Sequence, residues 1–297
     1  MPRTISFSVP NEYDNRKVAH FLRGSARLSA RLIGSLKQTG DGILLNGEHI
    51  RTVDMIKAGD VITVNIPDDD FLPEPVNIPL DILYEDHDII AVNKSPLMAM
   101  HPTHNHQGDT LANAVAWHLS GKGNRSAFRA IGRLDKGTSG VVICTLNKYS
   151  ASKLTGSVKK EYLAVAQGEF YGEGTIDAPI CRPNPMKTER ACGGEGDRAV
   201  THWQAIESGG GFSLLRLKLE TGRTHQIRVH FAFIGAPLLG DSMYGGAFPE
   251  TGHQMLHCES AEFPHPITGE ILKITAPMPE EMDEYVRNMK RRGQAAD

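Results

Sequence analysis

The sequence predicts a small α/β domain followed by a larger α+β domain built on a mixed, largely antiparallel sheet. Three observations carry this. The chain has 297 residues, enough for about two domains at roughly 100–200 residues each. An acidic, proline-rich stretch breaks the patterning near 67–79, where Asp68-Asp69-Asp70 precedes Pro73, Pro75 and Pro79. After it, strand and helix signals alternate irregularly, not as the βαβαβ order of a doubly wound fold. The expected boundaries are a first domain over 1–70, a connector over 71–82 and a second domain over 83–297.

In the first domain, Leu28, Leu32 and Leu36 recur at four-residue spacing with Ser29 placed to cap a helix over 28–36. Ile43-Leu44-Leu45 runs into Asn46-Gly47, a strong two-residue hairpin signal, and His49-Ile50-Arg51 continues as a strand. Ala58-Gly59-Asp60 turns again, into the β-branched strand 61–66. In the second domain, Ile89–Val92 reads as a buried strand, and Asp109 is placed to cap a helix over 110–119. Short apolar runs follow at 141–144 and at 162–166, the latter ended by Gln167-Gly168. Leu215, Leu217 and Leu219 alternate with Arg216, Lys218 and Glu220, the period of a half-buried strand. Thr224 is placed to cap a helix over 225–234, closed by Gly235.

Composition is that of a soluble globular chain, 40% apolar with 30 glycines, which excludes collagen, coiled coil and bulk disorder. Four scattered cysteines, none in a C-x-x-C pair, support neither a disulfide framework nor a four-cysteine zinc site. No apolar run is long enough to span a bilayer and no secretory signal is evident, so the expectation is a cytoplasmic protein without a membrane partner.

Net charge is −3, which read alone disfavours a polyanionic partner. The charge is segregated, however. Residues 122–160 hold nine cations against one acid, Asp135. Residues 3–37 hold seven cations against Glu12 and Asp14. Residues 67–90 hold eight acids and no cation. Such islands suit a polyanion-binding face as well as an ordinary solvated surface. If the first is the case, the acids of 67–90 should turn away from the face around Asp135.

Most chemistry motifs are absent. There is neither a G-x-G-x-x-G nor a P-loop, so no nucleotide cofactor is signalled. The S-x-x-K matches at Ser150 and Ser157 lack their partner motifs. His101, His104 and His106 cluster without a carboxylate or cysteine at ligand spacing, and no metal site is expected. Asp135 has no second acid nearby, as a glycosidase would require. What remains is Gly132-Arg133-Leu134-Asp135-Lys136-Gly137-Thr138-Ser139-Gly140, a glycine-punctuated loop with one carboxylate in a cationic field. That field favours the ionised form of Asp135, fit for a nucleophile or base. A turn-capping aspartate fits the same residues.

This segment resembles the R-L-D-x-x-T-S-G signature of the RluA-type RNA pseudouridine synthases. Other blocks resemble the family in order: Asn93-Lys94-Ser95-Pro96 with His101-Pro102, Lys160-Glu161-Tyr162-Leu163-Ala164-Val165, Thr221 to His230, Leu239-Gly240-Asp241 with Tyr244, and His265-Pro266. The first domain resembles an S4 RNA-binding domain. Gly132 stands where the family often has His, Ser95-Pro96-Leu97 replaces the more usual Pro-x-Gly, and residues 181–198 match no family block. The resemblance implies isomerisation of uridine to pseudouridine in structured RNA, without cofactor or metal. Asp135 would be the nucleophile, Tyr162 a stacking and proton-transfer group, and Arg228 the partner of Asp135. Arg133, Lys160 and Arg223 would hold RNA at the site; Arg23, Arg27, Arg31 and Lys37 would contact phosphates from the first domain. Large-subunit ribosomal RNA is the expected substrate and a monomer the expected state. Transfer RNA, or a non-catalytic RNA-binding module, is the alternative.

Overall fold

A computed structural model of the chain describes residues 3–67, 73–103, 106–124, 127–247 and 251–294. Asp68–Asp70 at the end of the expected first domain, 71–72 at the start of the expected connector, and likewise His104 and Arg125, lie outside them.

The N-terminal part contains β1 (Arg3–Ser8), β2 (Arg16–Lys17), α1 (Val18–Arg23), α2 (Ala30–Leu36), β3 (Ile43–Leu45), β4 (Glu48–His49), β5 (Met55–Ile56) and β6 (Val61–Ile66). Its four-stranded sheet has the order β1-β6-β3-β4. Ser29 caps α2 as expected, accepting from the Leu32 amide at 3.2 Å. Asn46 and Gly47 both take positive φ, 50° and 92°, the geometry of a tight hairpin turn. The strand expected over 49–51 is cut short at His49. Arg51 instead clasps Asp54 through its backbone and guanidinium.

The second part runs β7 (Asp81–Glu85), β8 (Ile89–Lys94), α3 (Leu111–Gly121), β9 (Arg129–Ile131), β10 (Ser139–Thr145), α4 (Lys148–Leu154), β11 (Lys159–Gln167), β12 (Glu173–Asp177), β13 (Ile180–Cys181), β14 (Ala191–Cys192), β15 (Val200–Gly209), β16 (Phe212–Leu219), α5 (Gln226–Phe233), β17 (Leu256–Pro264), β18 (Ile271–Thr275) and α6 (Glu280–Gln294). Its main sheet has ten strands in the order β12-β15-β16-β11-β17-β10-β8-β7, with β9 beside β10 and β18 beside β17. Every pairing is antiparallel except β10 with β17. The α+β, largely antiparallel expectation therefore describes the fold.

The parallel seam is short and positions the site. β10 and β17 pair only at Ser139 with His257 and at Gly140 with Cys258. Beyond those residues the strands part, β9 taking the vacated edge of β10 and β18 that of β17. Gly140 makes the seam possible, because a Cβ there would run into the Cys258 carbonyl and its φ is +105°. One face of the sheet buries the main core with α3 and α5. Leu163, Val165 and Leu214 bury the other against Met282, Val286 and Met289 of α6.

Several boundaries differ from the sequence reading. α3 is capped by Thr110, not Asp109, with Asn113 completing a capping box. Asp109 lies outside the helix, 2.6 Å from His106. Thr224 does not cap α5. His225 precedes the helix in the left-handed region at φ 58°. The Gln226 side chain pins the first turn, accepting from the Arg223 amide and the Thr221 hydroxyl and donating to the Val200 carbonyl. β7 begins at Asp81, inside the expected connector. Residues 181–198, which match no family block, include most of a short hairpin, β13 paired with β14.

The two parts are locked together. Arg3 of β1 grips both Asp88 oxygens at 3.0 and 2.8 Å, and Asn147 donates to the same carboxylate. Tyr149 of α4 sits in the N-terminal core, 6.0 Å from the ring of Phe7. Among the described residues, Asp86, Asp88 and His265 are close enough to hold a metal ion. Their ligand atoms are engaged already: His265 and Tyr84 bond Asp86, and the Arg3 cation covers Asp88. His101 and His106 are not part of that group. No helix among the described residues is long and apolar enough to cross a membrane.

Candidate active site

The splayed seam opens into a cavity of about 860 Å³, lined by residues after β9, at the start of β11, around α5 and on β17–β18. Asp135 stands on its wall, in the loop between β9 and β10. Each residue type of that loop has a physical task. Leu134 is buried in the core, so Arg133 and Asp135 on either side are thrown toward the cavity. The Thr138 amide closes a turn on the Asp135 carbonyl at 3.0 Å. The Thr138 hydroxyl accepts from Gln254 at 3.0 Å, and the Ser139 hydroxyl is 2.9 Å from His257 Nδ1. Threonine, serine and glycine thus pin the loop to β17 and its approach, and the Asp135 carboxylate is left with 24% exposure.

Arg228 arrives from α5. Its first allegiance is to Asp241, which accepts from Nε at 2.7 Å and from a terminal nitrogen at 2.8 Å. The other terminal nitrogen reaches Asp135 at 3.4 Å. The expected Arg228–Asp135 pair is therefore present, but as the longer of two carboxylate contacts. Asp241 is fully buried and a bidentate fork is the stronger geometry, so Asp135 receives the third, longer contact. Burial works against the Arg228 charge, but the Asp241 bonds and the nearby carboxylates outweigh it and raise its pKa. The guanidinium also lies 5.1 Å from the Tyr244 ring centre. The Tyr244 hydroxyl accepts from the Arg190 amide at 2.9 Å and meets His225 Nδ1 at 2.9 Å.

Tyr162 lines the cavity from β11, yet only 8% of it is exposed and its ring belongs to the core. A broad open stacking face, as the sequence suggested, is not what the strand presents. Burial, then the neighbouring Cys258 and Asp135, push its phenol well above 10, so it keeps its proton at neutral pH. Lys94, at the end of β8, is almost wholly buried. Its ammonium donates to the carbonyls of Ser95 and Met98 at 2.8 Å and of Lys136 at 3.1 Å. Burial lowers its pKa to about 7, against the pull of Asp135. Lys94 therefore braces the loop one residue beyond Asp135.

A family profile described as RNA pseudouridylate synthase matches residues 88–233. The chain is 38% identical to a Bacillus subtilis protein named as an uncharacterized RNA pseudouridine synthase, YlyB, covering 97% of this chain and 99% of that one. It is 36% identical to ribosomal large subunit pseudouridine synthase D of Pasteurella multocida over 75% of each chain. The solved structure of human RNA pseudouridylate synthase domain containing 1 matches with TM-score 0.55 at 26% identity, over 73% of this chain and 97% of that one. The chain belongs to the RluA-type RNA pseudouridine synthases.

In this pseudouridine synthase, Arg133, Lys160 and Arg223 line the same cavity as Asp135, Tyr162 and Arg228. Arg23, Arg27, Arg31 and Lys37 are exposed on the N-terminal part and do not line it. The basic segment 122–160 is not one surface. Lys122 pairs with Glu85 at 2.7 Å, and Lys153 lies over the Tyr149 ring. Seven cationic side chains line the cavity, of which only Arg133, Lys159 and Lys160 come from that segment. None of the described acids of 67–90 lines it, in keeping with the expectation that they turn away. Glu85 and Asp88 are held instead by Lys122 and Arg3. Sequence reasoning assigned no role to Asp241, Lys94, Tyr244 or Gln254. The first three lie in the motif blocks, so the signal was there. Gln254 carried none.

Proposed function

We propose that this enzyme converts uridine to pseudouridine in large-subunit ribosomal RNA, with Asp135 as the group on which the chemistry depends. One observation carries the reading. Asp135 is the carboxylate that faces the cavity beside a buried, charge-locked arginine, at 3.4 Å from Arg228. The cavity of about 860 Å³ falls in the usual range for small-ligand sites, roughly 300–1,000 Å³. A uridine stacked in a helix cannot reach it, so the base is flipped out at a cost of a few kcal/mol. Exposed Arg133, two residues from Asp135, is placed to fill the vacated space or hold phosphate. Arg223 and Lys160 steady the nucleotide from the other walls. The N–C glycosidic bond breaks, the base turns, and a C–C bond forms at the same sugar carbon. The base carbon that joins the sugar loses a proton and the freed ring nitrogen gains one; Tyr162, a neutral phenol at the cavity wall, is positioned to relay it, giving up its own proton as it takes the other.

Arg23, Arg27, Arg31 and Lys37 contact phosphates from outside and position the RNA without reading sequence. The Arg3–Asp88 lock fixes the spacing between those contacts and the cavity. One chain supplies all the named groups, so a monomer in the cytoplasm suffices. The ribosomal assignment is supported by relatives named as large-subunit enzymes. Mapping pseudouridine in RNA from a deletion strain, before and after incubation with the enzyme, tests it. New pseudouridine in large-subunit RNA is expected. New pseudouridine confined to transfer RNA would redirect the substrate, and none in either would defeat the reading.

A further inference from the structure

Two lysines of the cavity region have buried ammonium groups, and they are not alike. All three Lys94 donors are accepted by carbonyls. The Lys160 ammonium is buried with no hydrogen-bond partner among the described residues. An ammonium offers three donors and a full charge, and leaving both uncompensated in the interior is costly. Among the described residues it forms no ion pair, and three of the four acids that share the cavity wall are engaged elsewhere. Asp135 is held by Arg228, Glu161 by Lys218 at 2.9 Å, and Glu220 by Arg198 and His202. Glu262 is exposed on the rim. The thiols of Cys144 and Cys258 feel the Lys160 charge, but burial raises both and keeps them neutral.

Above the ammonium lies Gly132. A Cβ at that position would stand 3.4 Å from Nζ and 3.8 Å from Cε, and Gly132 has φ +72°, a conformation side chains disfavour. The Lys160 side chain is half-buried and lines the cavity while its tip is tucked under this bare stretch of backbone. Because the side chain already lines the cavity, rotation about its last bonds would carry the tip into it, and no hydrogen bond among the described residues opposes that.

We infer that Lys160 is an internal phosphate subsite, its ammonium swinging from beneath Gly132 onto a non-bridging oxygen of a phosphate flanking the flipped uridine. This rests on the proposed function, since it needs an RNA nucleotide in the cavity. Phosphate is the RNA group that carries the full negative charge Lys160 lacks. A uracil carbonyl would satisfy a donor and leave the charge uncompensated. The missing side chain at Gly132 lets the sugar–phosphate backbone pass close to the loop. Lys160 thus differs from surface clamps such as Arg27, because its unbound state is the unfavourable one.

The test compares wild type with Lys160→Met for binding to a large-subunit ribosomal RNA transcript across salt concentrations, and for thermal stability without RNA. Loss of one phosphate contact makes the log–log salt slope shallower by about 0.7–0.9. Removing an uncompensated buried charge raises the melting temperature by about 2 °C or more. Lys160→Arg, which keeps the charge, retains most of the slope. A wild-type slope in Lys160→Met, whatever its affinity, would overturn the subsite, as would a lower melting temperature. The readout does not depend on product. Absence of pseudouridine with the slope change intact defeats the proposed function alone; product formed with no slope change defeats the subsite alone.

Discussion

Replacing Asp241 with asparagine should separate what holds Arg228 from what Arg228 does. Asp241→Asn keeps the shape of the side chain and removes its charge. Arg228 then keeps at most one of the two bonds now at 2.7 and 2.8 Å, since the new amide nitrogen donates and cannot accept, and retains the contact to Asp135 at 3.4 Å. Arg228 is 8% exposed and Asp241 not at all, so the arginine charge is left buried and under-compensated. Breaking such a pair from one side costs about 3–5 kcal/mol. At roughly 2–4 °C per kcal/mol, melting should fall by about 6–20 °C. The Asp135 contact is different in kind. At 3.4 Å the bare attraction is about 5 kcal/mol in an effective dielectric near 20, but Asp135 is partly solvated and most of that is offset by hydration and screening. Asp135→Asn should therefore change stability by only about 1 kcal/mol. In activity the order reverses. Asp241→Asn lets Arg228 shift, and misplacement by about 1 Å costs on the order of 10²-fold in kcat/KM, whereas Asp135→Asn abolishes product. Denaturant melts beside a pseudouridine assay read both quantities. Equal stability losses for the two variants, or none for Asp241→Asn, would refute the division of labour between Asp241 and Asp135.

Two further predictions concern the brace and the outer contacts. The folded Lys94 pKa lies near 7 against an ordinary value of 10.5. The unfolded chain therefore binds the extra proton between those values, and stability should rise with pH from about 7 to 10.5. Lys94→Met should flatten that rise in urea melts taken across the window; an unchanged slope would remove Lys94 as its source. Joint Arg27→Ala and Arg31→Ala substitution should weaken RNA binding and make its salt slope shallower by about 1.4–1.8. Single-turnover conversion of saturating RNA should be retained, and an unaltered salt slope would take these residues out of RNA contact.

Local chemistry made much of this fold legible. Asn46-Gly47 marks its hairpin because both residues must take positive φ. The alternation from Leu215 to Leu219 reads as β16, although Leu214 is buried too, because α6 covers the opposite face. Asp135, Tyr162 and Arg228 were found as candidates and do line one cavity. What stayed hidden depends on contacts distant in sequence. The Arg3–Asp88 lock spans 85 residues and His265 reaches Asp86 across 179. Neither end of such a pair carries a local signal. The segregated charge misled for the same reason. Lys122 looked like part of a positive island, but the fold turns it toward Glu85, while Lys218 and Lys273 join the cavity from distant strands. Asp241 was in view within its motif block. Its burial against Arg228, which makes it the primary partner, is a fact of packing alone.

In the proposed function, pseudouridine formation depends on the Asp135 carboxylate in this cavity. The most direct test is a single-turnover assay of wild type and Asp135→Asn on the mapped ribosomal RNA, with affinity measured in parallel. RNA binding within a few-fold of wild type and no detectable pseudouridine are expected from Asp135→Asn. Product formed by that variant at a rate near wild type would contradict that dependence.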